Sequence, residues 1–170
     1  MKLWFLLLIT CATVAWGADG VSFVNEGIVD APVEEVWRAL TTSEGYKILG
    51  PAQAEVDLRI SGTIRARYSA TGPLGDEETI ENQILAYEPP VMIATRIQKT
   101  PKGFPFKEAW KHTWTVVTLE RLDGNRTRVR GASLGYGTDE ESLAMKQFFE
   151  RGNQQTIENL QKHFAHATAK

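Results

Sequence analysis

Apolar residues recur at two different periods along this chain, and the change of period divides it into elements. From Thr138 to Ala165 the positions Leu143, Met145, Phe148, Phe149, Gly152, Thr156, Leu160 and Phe164 keep helical spacing. A helix of about 26 residues would run roughly 40 Å, enough to cross a sheet from end to end. Thr138 and Glu141 have the spacing of a capping box, and Asp139, Glu140 and Glu141 place negative charge at the positive end of the helix dipole. Upstream, Val21 to Asp30 predicts a strand that stops at Ala31-Pro32. Val33, Val36, Trp37 and Leu40 then predict a helix from Pro32 to Thr42, and Ser43 to Ile48 a second helical turn closed by Gly50-Pro51.

Between Ala54 and Tyr136 the apolar positions alternate with polar ones, which predicts an antiparallel meander with one wet face. Ala54, Val56, Leu58 and Ile60 form one such run, and Ile64, Ala66, Tyr68 and Ala70 the next, joined by Ser61-Gly62. Strands are predicted at Thr79 to Tyr87, Val91 to Gln98, Glu108 to Leu122 and Arg126 to Tyr136. The last two meet at Asp123-Gly124-Asn125, residue types that tolerate positive φ in a hairpin turn. The expected order is strand, helix pair, six strands, long helix.

Composition adds a single folded unit to this picture: 170 residues, 42% apolar and 24% charged, predict one domain with one core. Residues 1 to 17 read as a cleaved export signal: Lys2 supplies the charge, Leu3 to Ile9 and Ala12 to Trp16 the apolar run, and Ala15-Trp16-Gly17 the small residues of a cleavage site. The run is shorter than the ~20 residues of a membrane span. An alternative is a lipoprotein signal at Leu8-Ile9-Thr10-Cys11, which would acylate Cys11. The expected location is therefore periplasmic or secreted. Cys11 is the only cysteine, so a chain cut after Gly17 has no thiol chemistry. A formal net charge of −2 and the absence of any basic block argue against nucleic acid as a partner.

Ala31-Pro32-Val33-Glu34-Glu35-Val36-Trp37-Arg38-Ala39-Leu40-Thr41 after the first strand, Val56-Asp57-Leu58-Arg59-Ile60-Ser61-Gly62, and the helix from Lys146 to Leu160 together resemble the START-like (SRPBCC) helix-grip superfamily. The resemblance is nearest to its bacterial branch named after the Hsp90 ATPase activator homologue 1, with Ser61 where a glycine is common, and it spans about residues 21 to 165. It implies an α+β fold in which a seven-stranded curved antiparallel sheet wraps around the C-terminal helix. It also implies a cavity between them, which in relatives holds lipids, sterols, polyketides or plant hormones. Cytosolic relatives stimulate a chaperone ATPase; an exported chain would meet neither that chaperone nor ATP.

The residues expected to line the cavity are Ile64, Ala66, Tyr68, Ile93, Val117, Leu119, Met145, Phe148, Phe149 and Gly152. A glycine facing the sheet and a methionine able to repack favour room over solid filling, although the same residues would serve as plain core. Trp110, His112 and Trp114 share one face if Glu108 to Leu122 is a continuous strand, with His112 placed to exchange a proton with a ligand while the two indoles wall an apolar pocket. Val117 and Leu119, of the opposite parity, would turn that face outward unless a bulge intervenes. Thr100 to Lys107 holds Phe104 and Phe106 beside two prolines, a candidate lid or contact loop.

No arrangement of Ser, His and Asp suggests a nucleophile, and no metal set or cofactor is expected. His163 and His166, three apart on the last helix, read as a solvated tail, and Asp76-Glu77-Glu78 with Glu81 as a charged edge. Asn125-Arg126-Thr127 fits a glycosylation sequon, though Asn125 already has a place in the turn. The residues thus favour non-catalytic binding of a small, mainly apolar ligand. The alternatives are a polyketide cyclase or aromatase in which Tyr68, Arg65 or His112 guides ring closure, and a cell-envelope interaction module using the Phe104/Phe106 loop or the tryptophan face.

Overall fold

A computed structural model describes residues 21–167; the expected export signal, with Gly17 and Cys11, lies outside the described residues. The chain runs β1 (Val21–Val29), α1 (Val33–Thr41), α2 (Ser43–Tyr46), β2 (Gln53–Val56), β3 (Thr63–Arg67), β4 (Ile80–Glu88), β5 (Met92–Lys99), β6 (Trp114–Arg121), β7 (Thr127–Tyr136) and α3 (Glu140–Ala167). Short 3-10 turns occupy Lys47–Leu49 and Ala109–His112. The strands form one antiparallel sheet of seven in the order β1-β7-β6-β5-β4-β3-β2, so the helix pair after β1 carries the chain from one sheet edge to the other. This is the helix-grip arrangement.

Period-two patterning decides which face is covered. On β1, Phe23, Asn25 and Val29 are buried while Val24 and Ile28 are exposed, and α3 lies chiefly over β1 on the buried side. Its C-terminal half is tied down by Asn159, whose Nδ2 donates to Leu49 O at 3.0 Å, and by Gln161, whose Nε2 donates to Ile28 O at 2.9 Å. Gly27 allows the close approach there: a Cβ on it would lie 2.5 Å from Ile157 Cγ2. The hairpin turn keeps positive φ at Gly124 (62°) and Asn125 (61°), as those residue types permit.

Two apolar clusters result. One joins Val36, Trp37, Leu40, Ile84, Leu119 and Leu160 with their neighbours; the other joins Phe23, Ala109, Tyr136 and Met145, with Phe106, Trp110 and Phe149 against them. The middle of α3 spans the gap between them.

Four sequence expectations need correction. Glu108 to Leu122 is not a continuous strand: Ala109–His112 turns as a 3-10 helix closed by Thr113 Oγ1 donating to Trp110 O at 2.9 Å, and β6 starts at Trp114. Alternation alone had not registered this change of direction. Helix α3 is capped by Asp139 rather than Thr138, through Ser142 N–H at 2.9 Å and Ser142 Oγ–H at 2.7 Å. Glu141 is thereby free to accept from the backbone N–H groups of Lys107 and Glu108 instead. On the helix stripe Leu143 and Phe148 are exposed, at 41% and 45%, whereas Ile157 is buried. The strands around Ser61-Gly62 are shorter than the alternation suggested, leaving Ile60 and Tyr68 beyond their ends and exposed.

Candidate functional site

A cavity of about 490 Å³ lies between the sheet and the middle of α3. Two glycines keep it open: a Cβ on Gly131 of β7, or on Gly152 of α3, would meet nothing within 4 Å. Its apolar wall includes Leu40, Ile64, Ile93, Val117, Val129 and Ile157. This volume is ordinary for a small-molecule site.

Of the residues expected on the wall, Ile64, Tyr68, Ile93, Val117, Phe148, Phe149 and Gly152 line the hollow. Tyr68 does so at the rim, being 66% exposed. Ala66, Leu119 and Met145 are not along it; all three are buried, Leu119 and Met145 within the two clusters. Ala66 and Leu119 have the inward parity of their strands and Met145 the covered side of α3, but none of the three borders the opening.

The Phe104/Phe106 loop folds back onto α3 at the cavity edge. Phe104 stands 6.1 Å between ring centroids from both Phe148 and Phe149, Phe106 is 5.7 Å from Phe148, and Phe148 is 5.3 Å from Phe149. All but the tilted Phe104–Phe149 pair are edge-to-face, a favourable geometry for aromatic pairs. Phe104, with Thr100 and Pro101, is part of the lining, and Glu141 holds the end of the loop to the start of the helix.

The Trp110-His112-Trp114 face does not form. Trp110 packs in the second cluster, His112 is exposed in the 3-10 turn, and Trp114, 42% exposed, lies along the cavity lining with its ring over Gly135. Arg65 is also misplaced by the sequence reading. It points to Glu55 at 3.2 Å and Glu81 at 3.8 Å, its cross-strand partners, and does not reach the hollow. Among the polar residues named for ring closure, Tyr68 alone borders the cavity. Asp76, taken for a charged edge, instead pairs with the buried Arg67 at 3.2 Å and accepts from Thr79 Oγ1 at 3.2 Å, organising the loop before β4.

Sequence reasoning missed the polar end of the cavity. Asn25, Ser133, Thr115 and Asn153 all line it. Ser133 Oγ lies 3.2 Å from Thr115 Oγ1 and accepts from Asn153 Nδ2 at 3.2 Å. Burial raises the Tyr136 phenol well above its ordinary pKa, with a hydrogen bond to Ser133 acting the other way, and burial likewise raises Tyr46. Both stay neutral phenols at physiological pH. The signal for Asn25 was available, since a polar residue occupied an inward position of β1. Among the described residues no three metal-ligating side chains gather, and no helix is long and apolar enough to cross a membrane.

The family model for Activator of Hsp90 ATPase homolog 1-like protein matches residues 30–165. The chain belongs to this family. Solved structures with the same fold include protein MLL2253 from Mesorhizobium loti, with a TM-score of 0.64 and 17% identity over 84% of this chain and 95% of that one. Protein NE0264 from Nitrosomonas europaea gives 0.63 and 18% identity over 88% and 97%. The Aha1 dimer from Colwellia psychrerythraea, a solution structure, gives 0.60 and 16% identity over 83% and 96%. A comparison with curated proteins finds no match. At these identities the likeness to this AHSA1-like group speaks for the fold, and the cavity's own residues must speak for function.

Proposed function

We propose that this AHSA1-like chain is an exported, non-catalytic binding protein for a small, mainly apolar molecule held between sheet and α3. The observation that carries the reading is the 490 Å³ hollow itself, walled by aliphatic and aromatic side chains and left unfilled at Gly131 and Gly152. Apolar surface facing a preformed hollow is stabilised when a ligand displaces water from it. The lining brings together hydroxyls, amides and phenols but no Asp, Glu, Lys or His, so it offers shape and hydrogen bonds rather than an acid-base pair. Phe104 and its aromatic neighbours form the closable side of the mouth. Export is supported by the charged, apolar and small-residue segments of residues 1 to 17.

Native mass spectrometry of protein purified from its own source tests both parts. The expected result is a mature chain beginning after Gly17 and carrying a lipid-like or aromatic adduct. Repeated recovery of ligand-free protein with no affinity for apolar probes would contradict the binding role, and an intact or acylated N-terminus would contradict cleavage after Gly17.

A further inference from the structure

We propose that the ligand is uncharged and mainly apolar but carries one hydroxyl or amide N–H, which donates a hydrogen bond to the side-chain oxygen of Asn25. This rests on the carrier reading above and narrows it to a chemical class. Asn25 is 7% exposed on the covered face of β1. Its Nδ2 donates to Glu150 O at 3.1 Å and to Gln154 Oε1 at 3.2 Å. The Glu150 carbonyl can only accept, so it fixes which end of the amide faces the helix. Oδ1 is left on the other side, buried and without a hydrogen-bond partner.

Buried polar atoms are nearly always paired in folded proteins, so an orphaned acceptor on a cavity wall marks a place for a donor. The nearest open space is at Gly131, and Oδ1, almost wholly covered in the empty hollow, meets a donor there once the Asn25 amide turns towards it. Asn25 lies opposite Gly131 in the β1–β7 register, and Gly131 presents no side chain and would have no neighbour within 4 Å of a Cβ. Along the same strand Ser133, with Thr115 and Asn153, supplies further neutral donors and acceptors that could hold a ligand hydroxyl's second hydrogen bond.

Charge decides the rest of the class. No carboxylate, lysine or histidine is on the lining, and Arg96, which borders it, is exposed with Nε donating to Gln83 Oε1 at 2.9 Å. An anion would be desolvated there without a buried cation, and an ammonium without a carboxylate. A neutral head satisfies Asn25 without that cost.

The experiment uses the delipidated mature protein and three probes sharing one apolar body: decan-1-ol, its methyl ether and decanoate, each measured by displacement of N-phenyl-1-naphthylamine. The ether can accept a hydrogen bond but cannot donate one. The expected result is that the alcohol binds about tenfold more tightly than the ether, since the ether leaves Oδ1 unpaired, with decanoate weakest of the three. Asn25→Leu, confirmed folded by its thermal melt, brings the alcohol and ether affinities together. Equal affinities in the unaltered protein, tightest binding of decanoate, or an undiminished preference in folded Asn25→Leu would each overturn the assignment while leaving the carrier reading standing. If Asn25→Leu does not fold, the alcohol-to-ether ratio in the unaltered protein decides. Failure of all three probes and of the fluorophore to bind folded protein would instead overturn the carrier reading itself.

Discussion

Gly27 of β1 and Ile157 of α3 meet so closely that a Cβ on the glycine would stand 2.5 Å from the isoleucine Cγ2. This contact holds the helix close to the sheet edge, whereas at Gly152, on the cavity lining, a Cβ would meet nothing within 4 Å. Gly27→Ala is therefore expected to destabilise the fold by about 1–3 kcal/mol through overpacking. In a strand the same change would ordinarily help, so a thermal or urea melt showing a gain would mean that the helix is not pinned there.

Gly152 makes the opposite prediction. It lies within α3, where glycine costs a helix roughly 1 kcal/mol relative to alanine, and a Cβ there meets nothing. Gly152→Ala should raise the melting temperature without closing the hollow. Gly152→Phe should fill it and cut affinity for N-phenyl-1-naphthylamine at least tenfold, a size expected when an apolar body loses its pocket. Undiminished binding in a folded Gly152→Phe variant would place the ligand elsewhere.

The aromatic cluster is expected to govern ligand exchange. Phe104 contacts Phe106, Phe148 and Phe149, at 5.3 Å in the first case, and removing its ring deletes contacts worth on the order of 1 kcal/mol each. Phe104→Ala should release bound fluorophore severalfold faster in stopped-flow dissociation with a smaller change in association. Phe148, nearly half exposed, should tolerate replacement better than a core phenylalanine would.

Asp139 links the start of α3 to pH. The Ser142 hydroxyl, and after it the Ser142 backbone N–H, hold its carboxyl below the usual carboxylate range. Because the folded value lies below the unfolded one, the cap contributes fully above about pH 4 and is lost as pH falls through the folded value. The protection of the Ser142 amide against exchange, relative to its intrinsic rate, should fall first as the solution is acidified below about pH 4. Asp139→Asn should flatten that dependence, since asparagine caps without titrating.

Elements with an uninterrupted period were legible in the sequence. The strand over Val21 to Asp30 and the hairpin turn at Gly124-Asn125 were placed correctly, because a run of strand-forming residues and local turn chemistry settle each. Trp110, His112 and Trp114 were misread because the two tryptophans and the histidine fit a strand as well as a 3-10 turn; what bends the chain is a tertiary contact, with the His112 carbonyl packed against Gly135, a residue in the positive-φ region. Among the candidate cavity residues, parity placed Ile64, Ile93 and Val117 on the covered face. It could not tell them from Leu119, since whether an inward side chain meets a neighbour or an opening depends on the height of α3. Asn25 was passed over because its meaning lies in two partners more than a hundred residues away, Glu150 and Gln154.

The space between sheet and helix is expected to take up an apolar molecule. Titration of the delipidated protein with N-phenyl-1-naphthylamine measures this most directly, with Gly131→Phe as the matched variant because that side chain would project into the hollow. The natural sequence should bind the fluorophore saturably and one-to-one, and the folded variant should not. Linear, non-saturable fluorescence, or equal saturation in both proteins, would contradict binding in this space.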